Sequence, residues 1–101
     1  MNKHFGRFVR RHRLIRGYSL AEFAAACGLS AGYLSVIERG LQKPPSDEKI
    51  RAMAALLDYD PDNLMCLAGR LPPDIQDWVS RNSKTVANLL REFIKTQHQG
   101  E

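Results

Sequence analysis

Apolar residues recur along this chain every three to four positions, and no stretch alternates as a half-buried strand would, so the pattern predicts an all-α fold. The first helix is predicted from Lys3 to Arg16, turning Phe5, Phe8, Val9 and His12 inward, with Gly17 where a left-handed cap is wanted. A second helix opens at Ser19, whose hydroxyl can accept from backbone amides while Glu22 reaches back in a reciprocal capping box. It buries Leu20, Phe23, Ala24 and Cys27 and ends at Gly28. Leu29 follows, and Ser30 then has the chemistry to cap a third helix, Ala31 to Arg39, which turns Leu34 and Ile37 inward and stops at Gly40. Two helices joined this tightly must cross at a steep angle.

The Lys43-Pro44-Pro45 segment cannot be helical and is predicted as a loop. A fourth helix begins after Ser46, with Asp47 and Glu48 near its positive end and Ile50, Met53, Ala54 and Leu57 on one face. The fifth takes Asp60 as cap and Pro61 as first residue, buries Leu64 and Leu67, and ends at Gly69. After the Leu71-Pro72-Pro73 break, two more helices are predicted. One runs from Asp74 to Arg81 with Ile75, Trp78 and Val79, the other from Lys84 to Gln97 with Val86, Leu89, Leu90, Phe93 and Ile94 on one stripe. Residues 97–101 are polar and expected to fray.

A length of 101 residues suits one domain and one core. No apolar run approaches the ~20 residues needed to span a bilayer, and the N-terminus lacks the apolar segment of a signal peptide. The expected location is the cytoplasm. Cys27 and Cys66 lie far apart within apolar patterns, and His4, His12 and His98 show no ligand spacing with them. Both thiols are therefore expected as small core residues, with no metal, cofactor or disulfide. No glycine-rich phosphate loop and no nucleophile-base constellation is present, so the sequence does not predict an enzyme.

Charge adds a direction. The overall charge is +4. Lys3, Arg7, Arg10, Arg11, Arg13 and Arg16 give the first 17 residues +6 with no acid, whereas residues 18–69 carry −3 and residues 70–101 carry +1. Such a cluster suits a phosphate backbone or is simply a solvated helix face. Membrane-surface binding is disfavoured because Phe5, Phe8 and Val9 on that helix belong to the core.

From Ser19 to Gly40 the order is cap, apolar helix, glycine turn, cap, second helix and glycine stop, which is a helix-turn-helix. Here the chain resembles the Cro/repressor-type, or XRE-like, helix-turn-helix regulators. The residues that carry the likeness are Arg13 with Gly17, Ser19-Leu20-Ala21-Glu22-Phe23-Ala24, Gly28-Leu29-Ser30, Tyr33-Leu34-Ser35, Ile37-Glu38-Arg39-Gly40 and Pro45-Ser46-Asp47-Glu48-Lys49-Ile50. It extends through Asp60-Pro61 to Leu67-Ala68-Gly69-Arg70 and fades near Ile75.

The resemblance implies a five-helix DNA-binding domain over residues 1–70 and a C-terminal helical extension over 71–101 that packs with it or dimerises. It implies that the third helix enters the major groove of double-stranded DNA, with the N-terminal amides of the second, at Ser19 and Leu20, aimed at a phosphate. It also implies a structural ion pair between Arg13 and Glu38. The family's base-reading positions fall on Ala31, Gly32 and Val36, none of which can form a side-chain hydrogen bond. Three routes to specificity stay open: apolar contact of Ala31 and Val36 with thymine methyl groups, polar contacts from Tyr33, Ser35 and Arg39, and readout of DNA shape. Ser19, Ser30, Gln42, Lys43, Arg7, Arg10 and Arg11 are candidates for phosphate contact. The two serines cap helices whatever they bind. Trp78, Val86, Leu89, Leu90, Phe93 and Ile94 are candidates for a homodimer interface, the alternative being that they complete the monomer core.

The expected function is a dimeric repressor on an inverted repeat. The alternative is an antitoxin-like interaction module whose C-terminal helices hold a partner encoded nearby, a toxin or a metallopeptidase, as the Pro-Pro-Ser-Asp-Glu-Lys-Ile and Leu-Ala-Gly-Arg-Leu-Pro-Pro stretches suggest by resemblance.

Overall fold

The computed structural model describes residues 3–99. The described residues form seven α-helices: α1 Lys3–Ile15, α2 Leu20–Cys27, α3 Ala31–Glu38, α4 Asp47–Leu57, α5 Pro61–Leu67, α6 Pro73–Arg81 and α7 Ser83–Gln99. They divide into two compact units, Met1–Leu71 and Pro72–Glu101. Predicted boundaries move by a residue or two at most. α7 continues past Gln97, where fraying was expected, and the rest of that tail, Gly100 and Glu101, lies outside the described residues.

In the first unit, capping decides where the helices begin. The Ser19 hydroxyl accepts from the Glu22 amide while the Ser19 amide donates to the Glu22 carboxylate, both at 3.0 Å, so the capping box is complete. Those two bonds to the charged form lower the pKa of Glu22. Ser30, Ser46 and Asp60 cap α3, α4 and α5 through a side-chain oxygen on the amide three residues on. Between α2 and α3 the backbone turns at Gly28 in the left-handed region, φ 73°, with Leu29 donating back to the Ala24 carbonyl at 2.8 Å. The two helices diverge by 106°. α4 ends on the same left-handed geometry, but at Asp58, φ 52°, a position no glycine announced.

The core of this unit gathers Phe5 and Val9 of α1, Phe23, Ala24 and Cys27 of α2, Leu34 and Ile37 of α3, Ile50, Met53, Ala54 and Leu57 of α4, and Leu64 and Met65 of α5. α1 and α3 meet without side chains between them at one point. A Cβ added to Gly6 would lie 2.4 Å from the Ile37 carbonyl oxygen and 2.7 Å from that of Glu38. Phe8 and His12, expected inward, are only partly buried: Phe8 packs against the edge of the core and stacks on His12 at 4.0 Å, with Tyr59 beside Phe8 at 4.8 Å.

Three expectations about burial need correction. Leu20 and Leu67 are only partly buried, and Met65 takes the inward position on α5. Cys66, expected in the core, is exposed, because on a seven-residue helix Leu64 and Met65 already occupy the inward face. Cys27 is buried, and burial pushes its thiol up to about 11, opposed in part by the positive charge of Lys49. In the second unit Ile75, Trp78, Leu89, Leu90, Phe93 and Ile94 are all exposed, and Val86 is buried at 8% exposure. Among the described residues no helix is long and apolar enough to cross a membrane.

The two thiols should therefore differ in reactivity. At mildly alkaline pH an aromatic disulfide reagent is expected to titrate Cys66 in the native state and Cys27 only on unfolding. Two thiols reacting at one fast rate in the folded protein would contradict this placement.

Candidate nucleic-acid interface

The exposed side of α3 is set by what its other side must do. Leu34 and Ile37 point into the core and Glu38 into an ion pair, which leaves Gly32, Tyr33, Ser35, Val36 and Arg39 on the outer half of the helix and its C-cap, while Ala31 at the helix start packs in part against the core. Eight residues make a rod of roughly 12 Å. Nothing lies within 4 Å of a Cβ built at Gly32, so the start of the rod stands clear of its own chain. Tyr33 and Arg39 are exposed, and Ala31, Ser35 and Val36 are partly covered. The Arg39 side chain lies back along the helix, with Nε donating to the Ser35 carbonyl at 3.4 Å.

The rod is held to α1 by the Arg13–Glu38 pair. Arg13 Nε donates to Glu38 Oε2 at 2.8 Å and Nη2 to Oε1 at 3.0 Å, while Nη1 reaches the Tyr18 carbonyl at 2.9 Å. The two side chains are only 7% and 4% exposed. Hydrogen bonding to Glu38 raises the already high pKa of Arg13, against the opposing effect of burial. One residue therefore braces α1, the turn before α2 and the C-terminal end of α3.

Around the rod lie the residues proposed for phosphates. Arg10, Leu20, Ser35 and Arg39 line one depression over the Arg13–Glu38 pair, so a cation of α1, the start of α2 and two outer positions of α3 converge. Lys3, Arg7, Arg10, Arg11, Leu14 and Arg39 surround an adjoining cavity of about 680 Å³. Its single acid, Glu38, is already engaged by Arg13, and among the described residues none of the five cations is in an ion pair. Such a concavity concentrates positive potential. Ser19 and Ser30 use their oxygens as caps, and each hydroxyl hydrogen stays available to a phosphate. Gln42 and Lys43 are exposed on the loop that follows α3.

Lys3, counted in the basic cluster but not among the phosphate candidates, shares a helix face with Arg7 and Arg10, at spacings of four and three. The sequence reading assigned no role to Arg70, whose guanidinium reaches the loop between α3 and α4. Among the described residues no group of three or more His, Cys, Asp or Glu side chains is arranged to hold a metal ion.

An exposed helix projecting from a tightly turned partner, flanked by unpaired cations, defines a helix-turn-helix protein. The chain belongs to the helix-turn-helix domain family, whose profile matches residues 4–65. It is 38% identical over 60 residues to the HTH-type transcriptional regulator SinR of Bacillus subtilis. That match takes in 59% of this chain and 54% of SinR, so it spans about half the length of the relative. The crystal structure of SinR, the master regulator for biofilm formation, in complex with DNA is 38% identical. Its TM-score is 0.55, over 60% of this chain and 97% of that one. A SinR protein/SinI protein complex matches with TM-score 0.56 at 31% identity, over 94% of this chain and 95% of that chain.

Removing one partner of the brace leaves the other charge buried and unpaired. Arg13→Ala is expected to cost roughly 3 kcal/mol, a fall in Tm of the order of 12 °C in a unit of this size. An unchanged melting curve would refute the structural role.

Proposed function

We propose that the protein is a DNA-binding transcriptional regulator that lays α3 in the major groove and works as a homodimeric repressor on an inverted repeat. The observation that carries this reading is the convergence of Arg10, Leu20, Ser35 and Arg39 on one depression beside the exposed rod, with further uncompensated cations next to it. The likeness to SinR, solved with DNA, supports it. Arg7, Arg10, Arg11, Gln42, Lys43 and the starts of α2 and α3 orient the duplex through phosphates. Ala31 and Val36 meet thymine methyl groups, Tyr33, Ser35 and Arg39 supply polar contacts, and DNA shape supplies the remaining selectivity. The reading involves no catalysis and no cofactor, and it places the protein in the cytoplasm.

Dimerisation is assigned to α6 and α7. Trp78, Leu89, Leu90, Phe93 and Ile94 are all more than half exposed, an apolar surface that favours burial against another chain. Two copies would then present two α3 rods to half-sites about one helical turn, ~10 bp, apart. The same surface supports a second reading, in which these helices hold a different protein, as in an antitoxin-like module. The SinR protein/SinI protein complex, which matches almost the whole chain, favours keeping it.

Selection of bound fragments from genomic DNA is expected to return a two-fold symmetric site. Affinity should fall about a thousandfold or more between roughly 50 and 200 mM salt, as expected for ~6 to 10 phosphate contacts. Failure to enrich any sequence, together with a flat salt response, would overturn the regulator reading. Light scattering at tens of micromolar should give a dimer. A monomer that gains mass only with a co-purified partner would favour the second reading.

A further inference from the structure

The loop between α3 and α4 cannot satisfy its own backbone. The Leu41 amide closes the end of α3 on the Val36 carbonyl at 2.9 Å, and Ser46 caps α4. Among the described residues the stretch between them, Gln42 to Pro45, makes no backbone-backbone hydrogen bond. Pro44 and Pro45 are buried and have no N–H to give, while their carbonyls still require donors. Arg70, just beyond α5, supplies them. Its Nη2 donates to the Pro44 carbonyl at 2.8 Å, and its Nη1 donates to the Pro45 carbonyl and to Asp47 Oδ1, the latter at 3.1 Å. One guanidinium thus ties both prolines and the first residue of α4 to the end of α5.

We infer that Arg70 is a positioning residue that presents Gln42 and Lys43 to the DNA backbone without touching it. The inference rests on the proposed DNA-binding reading. Lys43 directly precedes Pro44 and is confined by that ring to extended backbone. Fixing the Pro44 carbonyl therefore fixes the direction in which Lys43 leaves the surface. The fork geometry is essential, because an ammonium offers three donors from one point and cannot span two successive carbonyls and a carboxylate. Three of the five N–H donors of Arg70 hold the loop, and the inferred influence on a phosphate passes through Lys43.

The test compares the full chain with Arg70→Ala, Lys43→Ala and the double variant, using amide hydrogen exchange and anisotropy titrations of a labelled mixed-sequence duplex at several salt concentrations. In Arg70→Ala, exchange at the amides that flank the loop, Leu41 on the Val36 carbonyl and Lys49 and Ile50 on Ser46, should accelerate about tenfold or more while Met53 and Ala54 in α4 keep their protection. Each single variant should bind the duplex several-fold more weakly, with the salt slope flatter by about 0.9, one phosphate contact. The double variant should be no weaker than the worse single one. Unchanged exchange in Arg70→Ala, or additive losses with a slope that falls twice, would overturn the inference. If the unsubstituted chain ignores duplex altogether, the presenting role falls together with the proposed function. Rapid exchange in Arg70→Ala would then locate the failure in the interface rather than in the loop's support.

Discussion

A buried guanidinium must find a carboxylate, and that requirement at Arg13 organises the first unit. Arg13 meets Glu38 in a two-pronged contact with both side chains almost wholly enclosed, and its remaining nitrogen holds the carbonyl of Tyr18. Desolvating two charges is costly, so the pair is weak grounds for high stability; what it supplies is a unique arrangement. A slip of α3 along α1 would separate the two groups and leave both uncompensated. The outer face of α3 is therefore oriented from behind, through Glu38 on its inner side and Arg13 on α1.

With α3 braced in this way, the division of labour on the surface follows from chemistry. The outer positions of the rod are mostly small or apolar, and the cations lie beside it, on α1 and on the loop after α3. Charge attracts any duplex without regard to sequence, while the apolar centre responds to groove width and methyl groups. The second unit adds an apolar surface on α6 and α7 of the kind that pairs chains. In the proposed function, attraction, discrimination and pairing thus rest on different residues.

Much of this was legible in the sequence because it is local. Ser19 with Glu22, Ser30, Ser46 and Asp60 each announce a helix start through a bond only three residues long, and the glycine at 28 announces a turn that only a left-handed residue closes easily. Most of the inward faces of α1 to α4 followed from period, with Phe8, His12 and Leu20 only partly buried at their edges. Where the reading slipped, the deciding contacts were between elements. Cys66 looked like a core residue because its neighbours are apolar, yet a helix of seven residues has one inward face and Leu64 and Met65 fill it. Asp58 ends α4 left-handed with no glycine to mark it. Arg70 is 25 residues from Pro45, a separation at which no pattern rule operates, and only the absence of donors in two consecutive prolines hinted that a partner must come from elsewhere. The Arg13–Glu38 pair, equally distant in sequence, was legible only by family resemblance.

Gly6 carries a consequence for how this architecture can change over time. Where α1 crosses α3 the contact is peptide against peptide, and a single added carbon would fall 2.4 Å from a carbonyl oxygen. Side-chain packing drifts in both directions, since a methyl lost on one helix can be regained on the other. A seam of bare backbone has nothing to trim, so a larger residue at position 6 can be admitted only by moving the helices apart, a constraint that does not bear on the outer face of α3. On the proposed reading, substitutions on the outer face of α3 can then change what the rod prefers while its seat stays where the peptide contact puts it.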